Sequence, residues 1–486
     1  MQFDSPSLSS SRLGEDFAPP RALYVIHIPA ILAITALGTW IASNEMAMVF
    51  AAAVAALVAI YMLWDWLLRE APTRFCTILA IALLLGYGLG AVNTWFTLPR
   101  GGLSLAQFLG SDEGVLARGM AGVLISAAPL CFLGELYERP LFGREFRLPL
   151  DQRTYSFVVL GTLAIAAGFF THQLGYSGVQ GSFGEQQSIA AALLSWLFSP
   201  LTALTISIFL VTKGRFAKLI TGVCMLVLCA FLMVLGRRTL LYTVMESLFA
   251  LRLTGYRFGG SVAKKAMLLA VLGCFVALGV TVFMLIRLAG FQNPHANISL
   301  EQRVQIAMSW VEDGSALNRA TEANRENAQK RTFVLGFFAD VLEGSARNTP
   351  ALGQDIASYT SMAIPRILNP DKDLALGEET IADDLFGLTY SDAANSVLTT
   401  GATDFGLLGV IAYPLLLVLL LRVCIEVFSN FLPALPISVI VLGSIFSLLQ
   451  TETSMTAYLV TIRNEIIFSV LLLFYSRLPR FELRTN

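Results

Sequence analysis

Residues 46–67 read MAMVFAAAVAALVAIYMLWDWL, an apolar run interrupted by one charge, Asp65. A helix rises 1.5 Å per residue, so about 20 apolar residues cross a ~30 Å hydrocarbon core. This run has that length. Its apolar residues do not alternate with polar ones, which excludes a barrel strand. Helix is the other structure that satisfies its own backbone in lipid.

Runs of the same kind recur in both directions along the chain. They predict helices over 23–43, 75–97, 115–136, 154–173, 189–211, 217–236, 239–252, 266–288, 404–421, 434–450 and 456–476. Composition agrees: 56% of the residues are hydrophobic and 14% charged, against roughly 25% charged in soluble proteins. The expected fold class is therefore all-α, a polytopic integral membrane protein of about twelve transmembrane helices. The expected segments are a cytoplasmic tail 1–22, helices one to nine over 23–288, a large helical loop 289–403, helices ten to twelve over 404–476, and a cytoplasmic tail 477–486.

Charge placement sets the expected orientation. Arg69 and Arg74, then Arg139, Arg144, Arg147 and Arg153, then Lys213, Arg215 and Lys218, then Arg252, Arg257, Lys264 and Lys265 fall on one set of connections. Arg477, Arg480 and Arg484 follow the last helix. The segment 175–187 on the opposite side has no Lys or Arg. By the positive-inside rule both termini are expected in the cytoplasm of a bacterial-type cell, with the chain in its inner membrane. The alternation holds only if the short segment 239–252 spans. The first residues contain Asp4 and no basic n-region, so they read as a tail rather than a signal peptide. A net charge of −1 implies no nucleic-acid partner. None of the six cysteines lies in the large loop, which leaves it without a disulfide framework. The loop carries amphipathic stretches at 300–312 and 333–343 and is expected to cap the outer face.

Three constellations could carry chemistry. Arg237 and Arg238, in GRRTLL at an outer helix end, break the charge rule, as does Arg287. They either snorkel to lipid headgroups or present bidentate forks to a phosphate or pyrophosphate. Arg463-Asn464-Glu465 lies within the last helix. Ionisable groups there face a cavity or pair with each other. Glu246 reads as a partner for an arginine. In the loop, Arg331 begins RTFVLGFFADVLEGSARNTP, and IPRILNPDKD follows with Arg366 and Lys372. Taken singly, these charges also fit a solvated surface. Asp371-Lys372-Asp373 matches a metal-binding D-x-D, a pattern common by chance. Glu378, Glu379, Asp383 and Asp384 fit either a Ca²⁺ site or a solvated helix face. No zinc spacing and no P-loop is present.

The order of Arg331, an apolar helix, I-P-R-x-x-x-P-x-K and then TDFGLLGVIAY (403–413) resembles the Wzy-type polymerases of bacterial O-antigen and exopolysaccharide repeat units. GRRTLL resembles that family's arginine-bearing outer helix end, with Arg238 in the arginine position. The chain departs from the family at Asp373, where proline is usual, and at Arg237, where a small residue is usual. The likeness covers roughly 230–425 by motif.

The resemblance implies a fold similar to membrane-embedded glycosyltransferases of the C type. It implies polymerisation of undecaprenyl-pyrophosphate-linked oligosaccharide repeat units at the periplasmic face, without metal or cofactor. A flippase and a chain-length regulator are the partners it implies, beside the lipid-linked substrates and the bilayer. The chemistry needs fixed positive charge for a pyrophosphate leaving group and a base near the acceptor hydroxyl. The expected pyrophosphate-binding residues are Arg237, Arg238, Arg287, Lys372 and Arg463. The expected catalytic residues are Arg331 and Arg366, with Asp404, Glu452 and His295 as unranked candidate bases. His172 is a further candidate base that also fits a hydrogen-bonded helix end, and His27 reads as structural. An O-antigen ligase shares these features. A transporter or flippase of lipid-linked sugars is the alternative of another class, expected to show repeats and broken helices. A non-catalytic export scaffold is a further one.

Overall fold

The computed structural model describes residues 21–477 except 69–70, 98–103, 105, 108–109, 142–147, 149, 172–173, 175–188, 236, 257–261, 292–299, 313–317, 319–321, 323–332, 366–367, 370–377 and 389–394. The described secondary structure is helical throughout. In chain order the helices are α1 (Leu23–Ala42), α2 (Glu45–Leu68), α3 (Phe75–Phe96), α4 (Glu113–Tyr137), α5 (Gln152–Phe170), α6 (Ile189–Val211), α7 (Arg215–Leu235) and α8 (Arg237–Leu253). They continue with α9 (Val262–Phe291), α10 (Leu300–Glu312), α11 (Phe333–Arg347), α12 (Gln354–Ala363), α13 (Glu378–Phe386), α14 (Val397–Phe431), α15 (Ala434–Leu449) and α16 (Met455–Arg477). Among the described residues nine helices are long and apolar enough to cross a membrane, and Ala270–Ile286 and Ala434–Leu449 are shorter apolar helices. The chain is a polytopic membrane protein. Ile34, Leu37 and Ile41 form one exposed apolar stripe on α1. Such a stripe is a liability in water and an ordinary contact with lipid.

Successive spans reverse direction, so the connections fall on two sides. The side holding residues 43–44 and 110–112 is here the loop side; the other is the basic side. On the basic side α1 to α4 are tied by a buried polar network. Arg21 pairs with Asp65 at 2.6 Å, and the Tyr24 hydroxyl donates to the same carboxylate at 2.8 Å. Arg74 pairs with Glu135 at 2.6 Å, with side chains 7% and 4% exposed. Glu138 accepts the N–H groups of Phe75 at 2.7 Å and Cys76 at 2.8 Å. It thereby caps α3, whose own N-cap residue, Arg74, makes no capping bond. Helix starts need such acceptors for their first amides.

The large loop departs from the expected cap. The amphipathic stretches do fold as α10 and α11, but α11 sinks into the bundle. Val334, Leu335, Phe337, Phe338, Ala339, Val341 and Leu342 are all buried. Gly119 and Gly122 of α4 give it room, because a Cβ at Gly119 would overlap Ala339 and one at Gly122 would press on Phe338 and Leu342. Small residues let helix backbones approach closely inside membranes. The seat is polar at its rim. Arg118 pairs with Glu343 at 2.8 Å, and Ser111 donates to Asp340 at 3.1 Å.

A second departure concerns the tenth predicted span. Its helix begins at Val397 rather than at 404, and it is broken at Phe405 (φ −140°, ψ 19°) and Gly406 (φ 57°, ψ −139°). Gly406 sits in the left-handed half of φ space, which glycine enters freely. The chain folds back there, and a Cβ on Gly401 or Gly409 would overlap the backbone of the other. The result is a half-helix, Val397–Thr403, packed on the long remainder of α14.

Candidate functional site

The half-helix starts deep in the bundle. Its N-cap, Ser396, is fully buried and accepts the amides of Leu398 and Thr399. The Ser396 hydroxyl also lies 2.6 Å from that of Tyr87. Tyr87 belongs to the middle of α3, where residues Leu84–Leu89 widen into a π-helical turn. Single π-turns inside α-helices often mark functional positions. The turn after α15 reaches the same place. α15 has 16 residues, about 24 Å at 1.5 Å each, which is short of a full crossing. Thr451, just beyond it, donates to the Ala82 carbonyl at 2.8 Å. Gly86 is where a Cβ would strike the Thr451 side chain. Glu452 therefore sits in a turn that dips into the bundle, and it is partly exposed there.

Asp404 ends the half-helix and is fully buried. Its Oδ1 accepts the N–H groups of Gly353 at 3.1 Å and Asp355 at 2.9 Å; its Oδ2 accepts the N–H of Ile356 at 3.1 Å and the Tyr413 hydroxyl at 2.6 Å. A carboxylate offers about four lone-pair sites, and these four donors fill them. Asp404 thus caps α12 from another helix, since the N-cap residue of α12, Gly353, has no side chain with which to cap it. No lone pair is left over to take a proton from a substrate hydroxyl. In this geometry it holds α12.

The other end of α12 meets Arg463. The guanidinium Nη1 donates to the Ala363 carbonyl at 3.0 Å, while Nε and Nη2 donate to Asn464 Oδ1 at 3.2 and 3.0 Å. A cation at a helix C-terminus is favoured by the helix dipole. Among the described residues no carboxylate lies within ion-pair distance of Arg463. The internal charge pair considered for Arg463 and Glu465 does not form. Glu465 instead accepts from Ser444 on α15 at 2.8 Å. Glu246, expected to meet an arginine, accepts from Ser199 at 2.5 Å, and Ser199 in turn lies 2.6 Å from Thr243.

The proline-punctuated stretch follows directly from this end of α12. The amides of Leu368 and Asn369 donate to the Pro365 carbonyl at 2.9 and 3.0 Å, and the Asn369 side chain reaches back to Ser361 at 2.7 Å. These described flanks make a turn beside the Ala363 carbonyl that receives Arg463. Arg366 itself, Lys372, Arg331 and His295 lie outside the described residues, as does His172. Arg237 and Arg238 are the first residues of α8 rather than the last of α7, and Arg287 is in α9; their side chains lie outside the described set. α11 begins two residues after Arg331.

Sequence reasoning missed Tyr87 and Ser396. The available signal was the flexible GYG in the middle of an otherwise apolar span. It also missed Asp355 and Tyr359, buried on α12. Against known proteins, no family model matches the chain, and neither a curated protein nor a solved structure does.

Proposed function

We propose that the chain is a membrane glycosyltransferase that polymerises lipid-linked oligosaccharide repeat units, of the Wzy type its motifs resemble. In this reading the nine long spans, the two shorter apolar helices and α8 make the twelve crossings. The loop side is periplasmic, both termini are cytoplasmic, and the membrane is the bacterial inner membrane. The bundle is read as similar to glycosyltransferases of the C type.

The observation that supports the reading is Arg463. It is an intramembrane arginine with no carboxylate partner among the described residues, held at the C-terminal end of α12 next to the IPRILNP turn. Charged side chains are retained within spans chiefly for a cavity, partner or ligand. Two of its five N–H donors remain for an anion, and its fixed charge suits a pyrophosphate leaving group. In the proposal Arg331, Arg366 and Arg463 stabilise the negative charge that develops on the pyrophosphate, with Arg237, Arg238, Arg287 and Lys372 as further anion-binding candidates. Glu452 and His295 remain the candidate bases. The substrates are the undecaprenyl-pyrophosphate-linked units; a flippase and a chain-length regulator are the expected partners. A ligase would use the same charge on the same face.

The test is complementation of a deletion strain. Arg463→Ala is expected to insert normally and to leave single or lipid-linked repeat units, with polymer reduced about 100-fold or more. Normal-length polymer from this variant sinks the assignment. The broken α14 favours a second reading. Half-helices starting at mid-membrane are a device of transporters, and Val397–Thr403 is one. A deletion strain that accumulates lipid-linked substrate on the cytoplasmic leaflet supports that reading instead.

A further inference from the structure

On the loop side, the ends of α1 to α4 border an open pocket of about 400 Å³ lined by Asn44, Glu45, Met46, Trp95 and Glu113. Its walls come from the turn between α1 and α2, the start of α2, the end of α3 and the start of α4. The turn is fixed in place. Ser43 takes a positive φ of 46°, and its carbonyl abuts α4, where a Cβ on Gly114 would come within 3.3 Å of it. The Trp95 indole N–H donates to Glu45 Oε1 at 3.1 Å, which holds the ring by a carboxylate from another helix. Among the described residues, neither the second oxygen of Glu45 nor the carboxylate of Glu113 accepts a hydrogen bond. Asn44 uses its Oδ1 on the amide of Ala47 at 2.9 Å and one amide hydrogen on the Ala42 carbonyl, leaving the other.

Each acid has an ordinary role at a helix start, and tryptophan anchors spans at the membrane interface. Neither role calls for an indole pinned over an open pocket by a carboxylate of a neighbouring helix. The lining combines an aromatic face, two carboxylates and an amide, at a volume within the range of small-molecule sites. A pyranose matches it. Its C–H face packs on an indole, and its hydroxyls donate to carboxylates in charge-assisted bonds. Glu113 belongs to the same helix end whose Arg118 and preceding Ser111 hold the loop helix at Glu343 and Asp340.

We infer that this cavity is a sugar subsite, taking one pyranose residue of the lipid-linked oligosaccharide. The inference rests on the glycan reading above and gives it a second binding position on the loop side. An ammonium group is the competing ligand, since carboxylates and an indole also attract cations. A single ring rather than a cage favours the sugar.

The test uses the full chain in lipid nanodiscs and saturation-transfer NMR with methyl glycosides of glucose, galactose, mannose, rhamnose and N-acetylglucosamine. At least one glycoside is expected to give a saturable signal. Trp95→Ala should abolish it, and Glu113→Gln, an exposed and isosteric change, should weaken it about tenfold. Three results overturn the inference: no glycoside binds, binding is the same in both variants, or tetramethylammonium binds at this cavity and the glycosides do not. The readout is binding of a free glycoside and does not involve polymer. A failed polymerase reading, scored by chain length in Arg463 variants, is therefore a separate result.

Discussion

Replacing Asp404 by alanine removes the acceptor for the first amides of α12 and for the Tyr413 hydroxyl. The amide of Asp355 and the Tyr413 hydroxyl belong to buried residues, whereas Gly353 and Ile356 are half-buried and can regain water. An unsatisfied buried donor costs about 1–3 kcal/mol. Two such groups put the loss near 3 kcal/mol, less any relaxation. Asparagine keeps one acceptor oxygen and turns an NH₂ toward donors, so it should lose about half as much. The perturbed unit is α12 and its entry turn, stitched to α14 by the bonds from Ala351 and Leu352 to the Thr403 and Asp404 carbonyls. Hydrogen exchange over 353–363 in nanodiscs reads this directly. A 3 kcal/mol loss raises exchange on the order of 100-fold where α12 opens locally, with the asparagine variant between. Peptides from α1 serve as the control. Unchanged exchange in Asp404→Ala, or an asparagine variant as damaged as alanine, refutes the cap. Loss of polymer in either variant without change in α12 exchange would return Asp404 to the list of bases.

Other expectations follow from the same geometry. Arg463→Lys keeps the charge and loses the fork, so partial polymer is expected, against almost none for alanine; equal output from the two contradicts bidentate anion binding. Gly119→Val pushes a side chain into Ala339 and should cost about 1–3 kcal/mol, seen as a lower melting temperature in detergent. Arg74→Ala leaves Glu135 buried without its cation and should cost about 3–5 kcal/mol, while Arg74→Met with Glu135→Leu should recover most of it. The Arg118–Glu343 pair is more accessible, at 27% and 19% exposed. A double-mutant cycle there should give a coupling of about 1 kcal/mol or less.

What could be read from the chain and what could not divides along sequence distance. The spans were legible because apolar run length is a local property, and α10 and α11 because amphipathic period is too. The burial of α11 was not. It depends on Gly119 and Gly122, in a span far earlier in the chain, and α4 reads as an ordinary crossing without its partner. The break in α14 hid inside TDFGLLGV (403–410), where one glycine in an apolar stretch reads as a tolerable helix residue. Asp404 looked like a candidate base because it is a carboxylate at the first position of a predicted span. Three of its four donors lie 48 to 51 residues away, and nothing near 404 announces them; the fourth, Tyr413, is nine residues on. Arg463 was legible as a costly charge in a span, but the neighbouring Glu465 offered a partner that the fold points elsewhere, toward Ser444.

The seat of α11 also bears on how the chain is made. Arg74 and Glu135 are 61 residues apart, so the basic-side ties can close while synthesis is still early. Arg118 and Glu343 are 225 apart. A nascent chain that has laid down α4 must hold the groove at Gly119 and Gly122 open until the loop helix is made and fills it. Truncation before residue 333 would leave α1 to α4 tied on the basic side and the groove vacant. Such a chain is a natural object for membrane quality control, and a crosslink between cysteines placed at 119 and 339 would time the moment of closure.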